Sequence, residues 1–320
     1  MTTSISPTKK ALPAPAPAPV ESRRGRLTEF VAPYAYIAPF FVLFAIFGLI
    51  PLLFTFYVAL FDWNPIGEHV FVGLDNFTRL LKDVRFWNAA RNTVSIWALS
   101  TVPQLLVALV LAHLLNHVRL RFAVLFRMSM LVPYITSVAA TAIVFAQMFD
   151  RDYGLLNWLL GLVGIGHIDF IQSVAGSHAL IAVMVTWRWF GYTTLLYLAS
   201  LQAVPRTIYE AAAVDGAGSL RQLVHISIPA LRPVIVFTIV TSTIYGLQIF
   251  TEPLLISRSA PSTCGPIRQC QTLTLFLFEQ GFTQFKFGYA AAIGVALFVM
   301  VVAFAGLNYF LSTRIRPERA

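Results

Sequence analysis

Few side chains in this sequence of 320 residues have the types and spacing that chemistry requires. It has no GxxxxGK(S/T) phosphate-binding loop, no HExxH metal motif and no GxSxG nucleophile motif. His113 and His117 lie four residues apart, but nothing nearby completes a metal site, so we interpret them as helix-packing residues. A membrane enzyme would need paired ionisable groups within apolar segments, where only Arg188 and Glu252 are available. We therefore predict neither an enzyme nor a metal site.

The composition indicates what kind of protein holds these residues. Hydrophobic residues make up 58% of the chain and charged residues only 12%, whereas soluble domains have about 45–50% and about 25%. One water-soluble core cannot bury so much apolar surface. The same numbers exclude disordered, collagen-like and disulfide-scaffold proteins. The sequence therefore predicts an integral membrane protein.

Six apolar segments are long enough to cross a bilayer as helices, which requires roughly 20 apolar residues each. They are 34–60, 92–115, 128–149, 179–201, 234–256 and 288–311. We expect an all-α membrane fold in which residues 31–314 form a six-span domain surrounded by lipid. Residues 1–30 contain an Ala-Pro run, which predicts a disordered cytoplasmic tail.

The lysines and arginines outside these segments predict the orientation. Most of the 23 basic residues lie in the two tails, the loop between spans two and three, and the loop between spans four and five. Cytoplasmic loops carry an excess of basic residues, so we expect both termini in the cytoplasm. This placement accounts for the net charge of +9 without a nucleic-acid partner. It also places Cys264 and Cys270 in an external loop. There the two cysteines could form a disulfide bond or remain as free thiols, and the sequence does not decide between these alternatives.

The longest cytoplasmic loop, residues 202–232, has a helix-turn-helix pattern. Residues 208–214 form a good short helix that Gly216 interrupts. A second short helix begins at Ser219, and we expect it to end at Pro229. Such a pair of helices is too short to be stable alone. It must pack either on its own chain or on a protein partner.

This loop carries a motif of a known family. Glu210-Ala211-Ala212 is followed by Gly216 and then by Ile226-x-Ile228-Pro229. The spacing resembles the EAA motif of the permease subunits of ATP-binding-cassette (ABC) importers, with Ile in place of Leu at position 228. Two further segments are similar to the carbohydrate-uptake branch, of the maltose and glycerol-phosphate type: Gly73-Leu74-Asp75-Asn76-Phe77 and Gly288-Tyr289-Ala290-Ala291-Ala292.

The resemblance implies the type I permease fold of ABC importers and a transport mechanism. Cytoplasmic ATPase subunits bind and hydrolyse ATP, a second homologous permease completes the pathway, and an external solute-binding protein delivers the substrate. This chain would then be no enzyme and would bind no cofactor. The loop would dock into a cleft on an ATPase subunit through the residues of the motif: Glu210, Ala211, Ala212, Asp215, Gly216, Ile226 and Pro229.

In this family the substrate contacts lie on spans four and five, and both spans carry aromatic and polar residues at helical spacing. They are Arg188, Trp189 and Tyr192 on span four, and Ser242, Tyr245, Gln248 and Glu252 on span five. Aromatic faces and hydrogen-bonding side chains suit a sugar, which has apolar C–H faces and hydroxyls. The alternative is helix packing, with Arg188 and Glu252 neutralising each other.

Two hypotheses for the function follow. The first is the permease subunit of an ABC importer, which moves a sugar or oligosaccharide across the cytoplasmic membrane. The second is an ion-coupled secondary carrier. Such carriers usually have an inverted repeat and intramembrane carboxylates, and the one candidate carboxylate here, Glu252, lies near the outer end of its span.

Overall fold

The computed structural model describes residues 23–65, 67, 69–117, 122–257 and 261–314. Over these residues the backbone is mainly helical, with a two-stranded antiparallel hairpin of β1 (Phe61–Trp63) and β2 (His69–Phe71). The α-helices, in chain order, are α1 (Arg23–Phe44), α2 (Ile50–Val58), α3 (Asp75–Lys82), α4 (Val84–His117), α5 (Ala123–Ile135), α6 (Val138–Met148), α7 (Leu155–Leu162), α8 (Val174–Leu201), α9 (Arg206–Val214), α10 (Ser219–Gln222), α11 (Ile228–Gly246), α12 (Thr251–Ile256), α13 (Leu273–Phe278) and α14 (Phe287–Arg314).

The chain divides into two units, Met1–Phe54 and Thr55–Ala320. The first unit contains α1, a π-helical turn at Ala45–Leu49 and the beginning of α2. Residues 1–22 of the expected tail lie outside the described residues. The expected tail boundary at residue 30 is wrong, because α1 already begins at Arg23. Arg, Leu and Glu are strong helix formers, so the polar residues before the apolar segment extend its helix.

Within the described residues, five helices are long and apolar enough to cross a membrane. They are Pro33–Val58, Val84–His117, Val174–Leu201, Ser219–Gly246 and Phe287–Leu311. The predicted span at 128–149 is not one continuous helix, because α5 and α6 meet there at an angle of 90°. The pair is apolar enough for a broken span or a re-entrant loop, and the number of spans is six if the pair counts as one. The backbone is extended at Thr136 and Ser137, three and four residues after Pro133. Proline weakens the helical turn before it, and α5 continues only two residues beyond Pro133, to Ile135.

The predicted helix end at Pro229 is wrong. The helix that begins at Ser219 continues through a π-helical turn at Leu223–Ser227 and through α11 to Gly246. A proline inside an α-helix clashes with the carbonyl of the fourth residue before it. The wider π-helical turn directly before Pro229 relieves this clash, so the helix continues. The loop expected at 202–232 is therefore shorter, because its second half belongs to the long helix.

The predicted span at 234–256 is interrupted, because α11 ends at Gly246 and α12 begins at Thr251. A later segment of the chain holds the residues between the two helices. The main-chain oxygen of Ile249 accepts a hydrogen bond of 2.8 Å from the Thr272 hydroxyl and another from the Thr274 hydroxyl. These bonds satisfy a carbonyl that has left the helix, as buried backbone requires.

The core of the second unit forms where α4 packs along α8 and where α11 packs against α4, α8 and α14. Its largest cluster includes the fully buried side chains of Ile96, Leu180 and Met184. Gly191 on α8 allows α5 to come close, since a Cβ at this position would lie 1.8 Å from the main-chain oxygen of Met130. Small residues permit such close approach between membrane helices.

Candidate functional site

A cavity of about 490 Å³ lies between α8, α11 and α12, with further wall residues from α4, α5 and α6. The seven residues predicted on spans four and five all line it: Arg188, Trp189, Tyr192, Ser242, Tyr245, Gln248 and Glu252. The break after α11 gives two of them their positions. Gln248 lies in the break, and Glu252 lies in the first turn of α12. Residues more than 60 positions apart in the sequence therefore share one site.

Aromatic rings form one wall of this cavity. Trp189 stacks on Tyr245 with ring centroids 5.9 Å apart, and Tyr192 meets the edge of Trp189 at 6.2 Å. Tyr134 from α5 joins them, stacked on Tyr192 at 4.9 Å. The sequence prediction missed Tyr134, because it lies on another span and only the packing of α5 against α8 brings its ring to this wall. Tyr245 remains 63% exposed, so its ring is available to a ligand.

An ion pair between Arg188 and Glu252 lies in the same wall. The Nη1 atom of Arg188 donates a hydrogen bond of 3.5 Å to Oε1 of Glu252. Both residues are only 8% exposed. The Nε atom of Arg188 is buried without a hydrogen-bond partner. Each charge is neutralised by the other, while one donor of the guanidinium keeps unused hydrogen-bonding capacity.

Polar side chains from α4 complete the cavity wall. Gln104 lines the cavity and donates a hydrogen bond of 2.9 Å from Nε2 to the hydroxyl of Thr193. Thr101 lies about one helical turn before it on the same helix. Neither was predicted, because span two was read only as an apolar helix. The signal that could have found them is the pair of polar residues, three positions apart, within that apolar segment.

The motif residues at 210–229 lie away from this cavity, in and after α9. Glu210, Ala211, Asp215, Gly216 and Pro229 are exposed, whereas Ala212 and Ile226 are partly buried. In α9 the buried residue is Tyr209, at 6% exposure. The helix thus rests on its own chain through Tyr209 and presents its motif residues outwards.

Gly216 ends α9 in a Schellman arrangement. Its φ is +78°, and its N–H donates to the oxygen of Ala213. The N–H of Ala217 donates to the oxygen of Ala212 at 2.8 Å. This pair of hydrogen bonds satisfies the last carbonyls of a helix and places a residue in the left-handed region, which glycine adopts most easily. The glycine of the motif therefore sets the direction in which the chain leaves α9.

Cys264 and Cys270, whose bonding state the sequence did not decide, form a disulfide bond. Between them, Arg268 pairs with Glu279 at 2.7 Å, and its main-chain oxygen accepts hydrogen bonds from Asn88 and Asn92 of α4. Burial of the Glu279 carboxyl acts to raise its pKa, but hydrogen bonds from Arg268 and Gln271 outweigh this and hold the pKa below its ordinary value. The loop is therefore fixed both to itself and to the N-terminal part of α4.

Comparison with known proteins places this architecture in a family. Residues 93–317 match the family described as "Binding-protein-dependent transport system inner membrane component". The chain is 35% identical over 279 residues to a lactose transport system permease protein of Rhizobium radiobacter, covering 87% of this chain and 92% of the relative. It is 32% identical over 289 residues to an arabinooligosaccharides transport system permease protein of Bacillus subtilis, covering 90% of each.

A solved structure has the same fold. A chain of the bacterial ABC transporter involved in import of the acidic polysaccharide alginate superposes with a TM-score of 0.76 at 19% identity, covering 92% of this chain and 100% of that one. The chain therefore belongs to the family of inner membrane components of binding-protein-dependent transport systems. It is a multi-pass membrane protein with the permease fold of ABC importers, as the EAA-like motif implied. The family is one of transport proteins, so the interpretation as a permease is confirmed over that as an ion-coupled carrier.

Proposed function

We propose that this chain and a second permease form the path by which a sugar or oligosaccharide enters the cell. Partner subunits hydrolyse the ATP, and an external solute-binding protein delivers the sugar. The observation that carries the proposal is the cavity in which Trp189, Tyr192 and Tyr245 lie beside Arg188 and Gln248. Aromatic faces pack on the C–H faces of a sugar ring, and the polar side chains bind its hydroxyls.

The relatives support a sugar as the substrate. The permeases at 35% and 32% identity are named for lactose and for arabino-oligosaccharides, and the structural relative for alginate. Tyr245 is 63% exposed within this chain and lines the cavity, so a ligand can reach its ring.

The exposed face of α9 is the proposed contact with the ATPase subunit. Glu210 provides charge there, and Asp215 does so directly after the helix. Ile208 and Val214 of α9, with Leu220 of α10, leave apolar side chains exposed between 46% and 88%. Apolar residues with a charged rim are typical of a protein interface. The partner subunit binds the ATP.

Two glycines of the same loop test this contact. Gly216→Ala places a Cβ at a φ of +78°, whereas the control Gly218→Ala has a φ of −67° and equally open surroundings. We expect Gly216→Ala to reduce co-purification of the ATPase subunit while the permease stays in the membrane. Equal ATPase recovery with both variants would show that the direction of the chain after α9 does not matter for docking.

The basic residues support a topology with both termini in the cytoplasm. Val163 and Phe282 are 72% and 59% exposed, and Gly216 lies in the proposed cytoplasmic loop. In a background without Cys264 and Cys270, Val163→Cys and Phe282→Cys should react with an impermeant thiol reagent added to intact cells. Gly216→Cys should react only after the cells are opened, and its labelling from outside would contradict the topology.

Uptake by the complete importer tests the proposed substrate class. The complex is reconstituted into proteoliposomes with ATP inside, and its solute-binding protein is added outside with labelled lactose, maltose, arabinan oligosaccharides or glycerol 3-phosphate. We expect ATP-dependent accumulation of at least one carbohydrate and none without ATP. Accumulation driven by an ion gradient in the absence of ATP would contradict the proposal, as would ATP-dependent transport of amino acids or inorganic anions but of no carbohydrate.

A further inference from the structure

A buried histidine joins the end of α4 to the segment that follows α9. His113 is only 2% exposed. Its Nδ1 atom lies 2.8 Å from the hydroxyl oxygen of Ser227, and its Nε2 atom lies 3.1 Å from that of Ser219. Both serines belong to the long helix that begins at Ser219 and continues into α11. A single side chain of α4 thus bonds to this helix at its first residue and again about two turns later.

The hydrogen bonds continue from this histidine into α9. The hydroxyl of Tyr209 lies 3.0 Å from the Ser227 hydroxyl oxygen, so Ser227 contacts both His113 and Tyr209. The ring of Tyr209 meets the edge of the His117 ring at 5.0 Å. His117 in turn lies 3.0 Å from the Gln222 side-chain oxygen. We call His113, His117, Tyr209, Ser219, Gln222 and Ser227 the His113 network.

The chemistry of the ring explains why a histidine suits this position. A neutral imidazole has one nitrogen that donates and one that accepts, and a serine hydroxyl can take either role. Both ring nitrogens are therefore satisfied in a buried place. Replacing the ring with an aliphatic side chain would leave the fully buried Ser227 hydroxyl with one partner fewer, which is unfavourable.

The position of the network connects the two regions described above. Tyr209 directly precedes Glu210 and is the buried residue of α9, so the network holds the helix that presents the motif. On the other side, α4 also carries Thr101 and Gln104, which line the cavity. His113 follows Gln104 by nine residues, or about 13.5 Å along a helix. One continuous helix thus contacts the motif segment near its C-terminal end and the cavity near its middle.

We infer that His113 is a positioning residue for energy coupling: it ties α9 to α4, so that movement of the motif helix reaches the cavity wall through α4. This inference rests on the proposed function, in which the motif helix receives the movement of the ATPase subunit. It predicts that loss of the His113 network separates ATP hydrolysis from transport without preventing assembly of the complex.

The test compares sugar transported per ATP hydrolysed in the reconstituted complex of permeases, ATPase subunits and solute-binding protein. We expect His113→Ala to lower this ratio roughly 2- to 30-fold, the range found for residues that couple distant sites. His113→Gln, whose amide both donates and accepts, should restore at least half of the loss. The matched control is His225→Ala, because His225 is exposed and its Nδ1 atom contacts only the oxygen of Arg221 in its own helix.

An unchanged ratio in His113→Ala would overturn the inference, as would an equal loss in His225→Ala. If His113→Ala fails to assemble, Tyr209→Phe and Ser227→Ala decide, since each removes hydroxyl contacts of the network with little change in volume. Normal ratios in both would then overturn it.

If the wild-type complex transports no sugar, the proposed substrate is wrong. Coupling is then measured as the stimulation of ATP hydrolysis by the solute-binding protein. Loss of that stimulation in His113→Ala would still support the inference, and full stimulation would overturn it.

Discussion

Arg188 of α8 and Glu252 of α12 form an ion pair beside the cavity, with 3.5 Å between Nη1 and Oε1. The pair links the two sides of the break between α11 and α12 to α8. Glu252 lies just after the break, and Arg188 lies on the unbroken α8. It fixes the short α12 relative to α8 in a region where both charges are removed from water. Removing one partner would leave the other charge buried and unpaired.

Arg188→Ala should therefore lower the free energy of unfolding by roughly 3–5 kcal/mol, whereas the double variant Arg188→Met with Glu252→Leu should recover most of this loss. Thermal unfolding of the purified permease in detergent measures both. The control is Arg151→Ala, since Arg151 is 62% exposed and lies 4.0 Å from Asp169, and such surface pairs contribute about 0–1 kcal/mol. A double variant less stable than Arg188→Ala would show that the charges are not a mutually dependent pair.

Removal of one ring from the aromatic wall should weaken sugar transport. Trp189→Ala removes a ring face that packs on the sugar in the proposed site. A contact of about 0.5–1.5 kcal/mol, as between two aromatic rings, would raise KM for uptake roughly 2- to 10-fold when lost. Trp158→Ala is the matched control, because Trp158 lies on α7, is 61% exposed and does not line the cavity. Transport kinetics at equal protein levels separate the two, and the same KM in both variants would argue against a sugar site at Trp189.

The contact between α5 and α8 should not tolerate one extra methyl group. Gly191→Ala places its Cβ against the oxygen of Met130, so the two helices must move apart at a cost of about 1–3 kcal/mol or more. Gly161→Ala is the control, since nothing lies within 4 Å of its Cβ position. We expect the unfolding temperature to fall only in Gly191→Ala. Equal temperatures for the two variants would show that the close approach is not needed for stability.

Acid should destabilise the loop around the disulfide through Glu279. Because the pKa of Glu279 is lower in the folded protein than its ordinary value of about 4.3, its contribution to stability is fully present above that value. The contribution is lost as the pH falls from there through the lower pKa of the folded state. We therefore expect wild type to have a higher unfolding temperature than Glu279→Gln at about pH 7. The difference between the two should shrink as the pH falls towards about pH 3. A constant difference across this range would contradict the assignment.

The sequence predicted the site residues that lie together on one helix or in one short segment. Arg188, Trp189 and Tyr192 recur at helical spacing on one span, and the motif from Glu210 to Gly216 lies in one short segment. These residues could be predicted together because local periodicity fixes which side chains share a face.

The remainder depends on contacts between elements that are distant in sequence. Tyr134 of α5 reaches Trp189 of α8 because these two helices pack against each other. Pro229 stays inside a helix only because a π-helical turn precedes it. Neither the contact of Tyr134 nor this turn can be recognised from the residue types alone. His113 and His117 follow each other at helical spacing, but their serine and glutamine partners lie more than 100 positions away, beyond the reach of local spacing.

If the cavity beside α8 and α11 is the path of the sugar, the transported sugar should protect a cysteine placed in that cavity from labelling. Both native cysteines are bonded to each other, so Ser242→Cys supplies a thiol in the wall and Val163→Cys supplies one on an exposed surface outside it. The rate of maleimide labelling is measured in the reconstituted complex during turnover with ATP, with and without saturating transported sugar. We predict that the sugar slows labelling of Ser242→Cys severalfold and leaves Val163→Cys unchanged. Labelling of Ser242→Cys at the same rate with and without a sugar that the complex transports would show that this cavity is not the path of the sugar.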